Sequence, residues 1–156
     1  MNFVSGCWKT HLPLFVHRLF ELEPRTKPVF GFGKSAPRRP SKTENVAMMR
    51  AGALVHGMRI VNMFDSALNM LGPDQEMLID IMQRLGRRHV AYGVSPHFLP
   101  FMGRALILTL SEFLGELEWS EALENAWYEV YCELSGVMMK ELFDQGRNDS
   151  LQLTPN

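Results

Sequence analysis

The sequence predicts an all-α protein, on three observations. Apolar residues recur at three- and four-residue spacing through most of the chain, which is the mark of one buried helical face. No stretch alternates apolar and polar residues as a half-buried strand would. The helix-breaking residues Pro24, Gly72-Pro73, Gly93, Pro96 and Gly115 fall between the periodic stretches. There is no internal repeat and no coiled-coil heptad. The 156 residues suit one domain, 1–156, that buries roughly two thirds of its surface. Its core is expected at about 14–144, with an atypical 1–13 and a flexible, polar tail over 145–156.

The elements follow in order. Phe15, Leu19 and Leu22, widened by Val16 and Phe20, predict a short amphipathic helix from Leu14 to Glu23, ended by Pro24 and Pro28. Val29 to Gly33 is an aromatic corner, and Lys34 to Lys42 reads as an exposed basic loop, a solvated linker in preference to a partner-binding patch. A long helical pattern runs from Glu44 to Leu71 through Val46, Met49, Ala53, Ile60, Met63, Phe64, Ala67 and Leu68. A second, through Met77, Leu78, Ile81, Met82 and Leu85, ends near Arg87-Arg88-His89, where cations suit the helix dipole. Ser95 is an N-cap candidate before Pro96. The helix it opens carries Phe98, Leu99, Met102, Leu106, Leu110 and Phe113 as far as Gly115. Ser120 opens the last helix, through Trp127, Tyr131, Leu134, Met138 and Leu142.

Composition narrows the function classes. A net charge of −1 argues against a dedicated nucleic-acid binder, which would carry a basic stripe. No run reaches the ~20 uninterrupted apolar residues of a membrane span. The first residues lack the order of a signal peptide and there is no Gly at position 2 for myristoylation, so a cytoplasmic location is expected. Cys7 and Cys132 form no CxxC or CxxCH motif and read as free thiols. The methionines read as core filler, and His11, His17 and His97 as surface or structural residues.

Two histidines carry the chemistry. His56 and His89 stand 33 positions apart, each on an amphipathic helical stretch. A neutral imidazole is a good iron ligand. His89 can ligate through one ring nitrogen while the other donates to a carbonyl of its own helix; the bland alternative is a histidine capping a helix end. His56 shares a face with Ile60, Met63 and Ala67 and so points inward. It can hydrogen-bond a ligand on the iron, bind the iron itself, or be a satisfied core histidine, and spacing alone leaves the three open.

The segments Leu19-Phe20-Glu21-Leu22-Glu23-Pro24, Leu85-Gly86-Arg87-Arg88-His89 and Ala126-Trp127, with the aromatic corner and the helix order, resemble the globin superfamily, most closely its neuroglobin and globin X types. The resemblance covers about residues 14–144. It implies a globin-like fold holding haem b, with His89 as the proximal iron ligand and His56 as the distal histidine. It further implies Phe30 wedged against the haem, Ile60 crowding the distal pocket and Arg59 pairing with a propionate. Leu85, Val94, Leu99 and Met102 are implied as proximal contacts. Val16 falls where many members place a distal phenylalanine, with Phe15 one step out of register. Globins open with a helix of some fifteen or more residues; only about a dozen precede Leu14 here and Pro13 interrupts them, so the resemblance implies a shortened or atypical first helix.

The function implied is reversible binding of O2 or another diatomic gas (NO, CO) for storage, transport or sensing. The alternatives are a bis-histidyl redox protein served by a reductase, with nitrite or NO chemistry, and a haem-free globin-like interaction module. The oligomeric state is not implied.

Overall fold

The computed structural model describes residues 8–30, 42–70, 72 and 74–152. Gly31-Phe32-Gly33, the basic loop over 34–41 and Cys7 lie outside the described residues. Five α-helices make up the described chain, with no strand among the described residues: α1 (Trp8–Leu22), α2 (Lys42–Met70), α3 (Gln75–Ala91), α4 (Leu99–Glu118) and α5 (Glu121–Gln152). Two 3-10 segments join them, Pro24–Phe30 after α1 and Pro96–Phe98 before α4. This is the all-α class that the periodicity predicted.

Helix α1 buries Leu12, Phe15 and Leu19 on one stripe. It begins earlier than expected and continues through Pro13. The Pro13 ring is exposed, and burial of Leu12 and Phe15 on either side of it offsets the missing backbone hydrogen bond. One helix, not two, therefore precedes the corner at Phe30 among the described residues. The chain leaves α1 at Glu23, whose buried carboxylate accepts hydrogen bonds from the Arg25 backbone N–H at 3.0 Å and from its guanidinium at 2.9 and 2.6 Å. Thr26 Oγ1 donates to the Glu23 carbonyl at 2.7 Å. This local staple fixes the 3-10 segment that ends in Phe30.

Helix α4 is the core helix, with Leu99, Gly103, Ala105, Leu106, Ile107, Thr109 and Leu110 buried. The stretch Pro96–Glu118 is long and apolar enough, by length and composition, to cross a membrane. Here α1 and α5 pack on it, which accounts for its apolar character. Gly115 has φ +72° and breaks the helical backbone at the position the sequence marked. Ser120 caps α5 as expected, its Oγ accepting from the Leu123 N–H at 3.2 Å. Helix α5 then runs to Gln152, past Gly146, where a polar tail was expected to begin.

Helix α5 buries Tyr131, Leu134, Met138 and Leu142, and α3 packs most extensively against it, with Gly86 seated against Met138 and Glu141. The Tyr131 hydroxyl donates to the carbonyl of Leu99, the first residue of α4. Gly103 makes this reach available: a Cβ there would stand 2.5 Å from the Tyr131 ring. The long helix α5 is thus tied to the start of α4, immediately after the loop that follows α3.

Candidate functional site

Helices α2 and α3 and the 3-10 segment Pro24–Phe30 bring three rings together. The Phe30 ring meets the His56 ring edge-on at 5.2 Å between centres. The His56 and His89 rings face each other across the α2–α3 cleft at 6.2 Å, inclined by 61°. Phe20 of α1 supports Phe30 from behind at 5.5 Å.

His89 is the C-terminal anchor of α3. Its Nδ1–H donates to the Leu85 carbonyl one turn earlier at 2.8 Å, which fixes the tautomer and leaves the lone pair on Nε2. The main chain beyond it is capped twice: the Val94 N–H donates to the His89 carbonyl at 3.0 Å and the Gly93 N–H to the Val90 carbonyl at 2.9 Å. With Gly93 at φ +72°, this is the paired cap of a helix that ends in a left-handed glycine. The orientation of His89 is therefore locked by its side chain and by its backbone.

His56 is half-buried. Burial, then the neighbouring His89 and then Arg59, push its pKa down to about 4. At neutral pH its imidazole is uncharged, with a lone pair available to a metal or a hydrogen-bond donor.

The remaining residues singled out from the sequence differ in burial. Ile60, Leu85 and Met102 are half-buried and pack against the core, Val94 is half-buried, and Leu99 is buried. Arg59 is exposed, three residues beyond His56. Val16 is half-buried, whereas its neighbour Phe15 is fully inside the core. Two neighbours escaped the sequence reading: the supporting ring of Phe20, and Tyr92, whose ring centre is 6.3 Å from that of His89. Nothing in helical periodicity marks Tyr92, because it is exposed. Along the same cleft a cavity of about 310 Å³ is lined by Met63, Ala67, Met70, Leu78 and Ile81, with Asn62 and Ser66.

The donor set narrows what can be held here. Among the described residues no group of three or more His, Cys, Asp or Glu side chains could hold a metal ion. Two imidazoles alone cannot complete a tetrahedral protein shell, so they suit an ion whose other positions come from a ring cofactor. Two imidazoles on one ion stand about 6 Å apart centre to centre, from a bond of ~2 Å and a ring radius of about 1 Å on each side. The centres of the His56 and His89 rings are 6.2 Å apart, a distance compatible with that span.

The family model described as Globin matches residues 14–138. The chain belongs to the globin family. Among globins of known name it is 32% identical to leghemoglobin 3 of Sesbania rostrata over 147 residues, covering 91% of this chain and 93% of that one. It is 29% identical to an anaerobic nitrite reductase of Gossypium hirsutum, covering 82% and 77%. It is 26% identical to neuroglobin of Danio rerio, covering 85% and 79%. As a globin it is, at the level of the family, a haem protein of the kind that binds diatomic gases.

Proposed function

We propose that this globin holds haem b between α2 and α3, with His89 as the proximal ligand and His56 as the distal residue, and that it binds a diatomic gas reversibly. The observation that carries this is the His89 ring, whose Nδ1–H is spent on Leu85 at 2.8 Å, leaving Nε2 to a ligand, and whose centre stands 6.2 Å from that of His56. When bound, haem b supplies a ferrous iron that takes O2, NO or CO and a one-electron ferrous/ferric couple. The protein does the rest. The Leu85 carbonyl makes the His89 ring a stronger donor and holds its plane. Phe30, Ile60, Leu85, Val94, Leu99 and Met102 wall the cleft and exclude water. Arg59 offers a cation to a carboxylate at the cleft mouth. His56, neutral at pH 7, would either donate a hydrogen bond to the gas or itself help to hold the iron.

The 6.2 Å separation favours a second reading alongside the first. His56 is near enough to His89 for both imidazoles to hold the iron of a bound haem, which would favour redox chemistry served by an electron donor. That one relative is named a nitrite reductase supports this reading, and that others are named leghemoglobin and neuroglobin supports the first.

Absorption spectra of the oxidised and reduced protein, beside His89→Ala and His56→Ala, test the assignment. His89→Ala is expected to lose haem. His56→Ala is expected to keep it and to pass from a six-coordinate low-spin to a five-coordinate ferrous spectrum. A His89→Ala protein that retains haem with an unchanged spectrum defeats the proximal assignment, and a wild type that takes up no haem on reconstitution defeats the function.

A further inference from the structure

Helices α2 and α3 face each other across the cleft but touch only slightly, whereas α3 packs most extensively on α5. The place of His89 opposite His56 is therefore decided behind α3, where it rests on α5. The seat is Gly86, buried and one turn before His89. A Cβ at this position would stand 2.9 Å from the Cβ of Glu141 and 3.1 Å from the Met138 carbonyl oxygen. Neither atom can swing aside, since one is a first side-chain carbon and the other is main chain. Arg87 pins the same contact, its guanidinium 3.4 Å from the Glu141 carboxylate. Glycine inside a helix is less favourable than alanine, and what it permits here is the close approach of two helix backbones. Gly57, beside His56, is also closely seated, but a Cβ there would meet the free end of the Leu12 side chain at 2.8 Å, which has other rotamers to adopt. Of the two seats, the one beneath His89 is rigid.

We propose that Gly86 is the positioning residue that lets His56 and His89 hold one iron together. The inference rests on the reading of the cleft as the haem site and deepens its bis-histidyl form. Opening the 2.9 Å contact to an ordinary carbon–carbon separation of ~3.5–4.0 Å displaces α3 from α5 by roughly 0.5–1 Å. A metal–ligand distance tolerates only about 0.2 Å. The displacement exceeds what the pair of imidazoles absorbs. It leaves the lock on His89 intact, because the Leu85 carbonyl that accepts from Nδ1 rides on the same helix. His89 therefore keeps its hold, and His56 is the ring that lets go.

Absorption spectra of the reduced, gas-free, haem-reconstituted protein test this, beside urea unfolding of the same samples. Wild type is expected to be six-coordinate and low-spin. Gly86→Ala is expected to keep its haem while the ratio of six- to five-coordinate protein falls about tenfold, in line with the usual cost of overpacking a tight contact. The reciprocal pair Gly86→Ala/Glu141→Gly moves the gap from α3 to α5 and is expected to regain the larger part of the six-coordinate form. Tyr131→Phe loosens α5 at a different contact and is expected to lose stability with no change in the spectrum. An unchanged spectrum in Gly86→Ala overturns the inference, as does loss of its haem. So does a reciprocal pair that stays five-coordinate, or the same spectral change in Tyr131→Phe. If Gly86→Ala does not fold, the reciprocal pair decides: a folded six-coordinate protein upholds the inference and any other result overturns it. A six-coordinate wild type with an unchanged Gly86→Ala spectrum defeats the positioning role alone. A wild type that holds haem as a five-coordinate protein defeats the bis-histidyl reading, and the role with it.

Discussion

Gly103 and Tyr131 form a matched pair: the missing side chain of one makes room for the ring of the other, and the ring carries its hydroxyl to the Leu99 carbonyl. Burial pushes the Tyr131 pKa well above the usual phenol range, so the hydroxyl stays a donor at every physiological pH. Gly103→Ala places a methyl group against a rigid ring and is expected to destabilise the protein by about 1–3 kcal/mol, despite the better helix propensity of alanine. Tyr131→Phe keeps the ring and removes the donor, and should cost about 0.5–1.5 kcal/mol through loss of the hydrogen bond that ties α5 to α4. Urea unfolding of the two variants measures both; a Gly103→Ala protein as stable as wild type would show that α4 and α5 can separate freely. The sequence does not mark these two residues as a pair. Gly103 sits inside a long apolar run and Tyr131 on a regular stripe, so only their meeting gives them meaning.

Where α1 hands over to the 3-10 segment, the same logic holds for charge. The side-chain hydrogen bond from Arg25 holds the Glu23 carboxyl down to about 2, against an ordinary value of 4.5. The unfolded chain therefore binds the proton first as the pH falls. The contribution of Glu23 is fully present above about 4.5 and lost as the pH approaches about 2. Glu23→Gln is expected to be less stable at neutral pH and to show a flatter decline through that window in urea midpoints taken from pH 7 to pH 2. A variant whose acid limb matches wild type would place the acid sensitivity elsewhere. The sequence did mark this corner, through Pro24 and Pro28, but as a stop. That the acid before it is buried and bonded to the residue two places on depends on a turn geometry that helical periodicity does not encode.

A cleft between two helices, lined by half-buried apolar residues, is costly to leave without a ligand that binds only the folded chain. Haem removal should therefore lower the Tm, and free haem at a hundred times its dissociation constant should restore about 2.7 kcal/mol. Scanning calorimetry of the haem-free and reconstituted protein reads this directly; equal Tm values would mean that the cleft is already closed without its cofactor. The five helices, their order and the inward His56 were all legible in the chain, because each is written in local spacing of three or four residues. So was the carbonyl partner of His89, which lies one turn back on its own helix. The continuation of α1 through Pro13 was not, since it depends on Leu12 and Phe15 finding a core to bury against. The 6.2 Å between two rings that are 33 positions apart was not legible either. Periodicity tells which face of a helix turns inward, but the distance between two faces is the sum of every side chain packed between and behind them. Here that sum includes Phe30 against His56, the locked end of α3, and the seat of α3 on α5 at Gly86, and only the packed molecule adds them up.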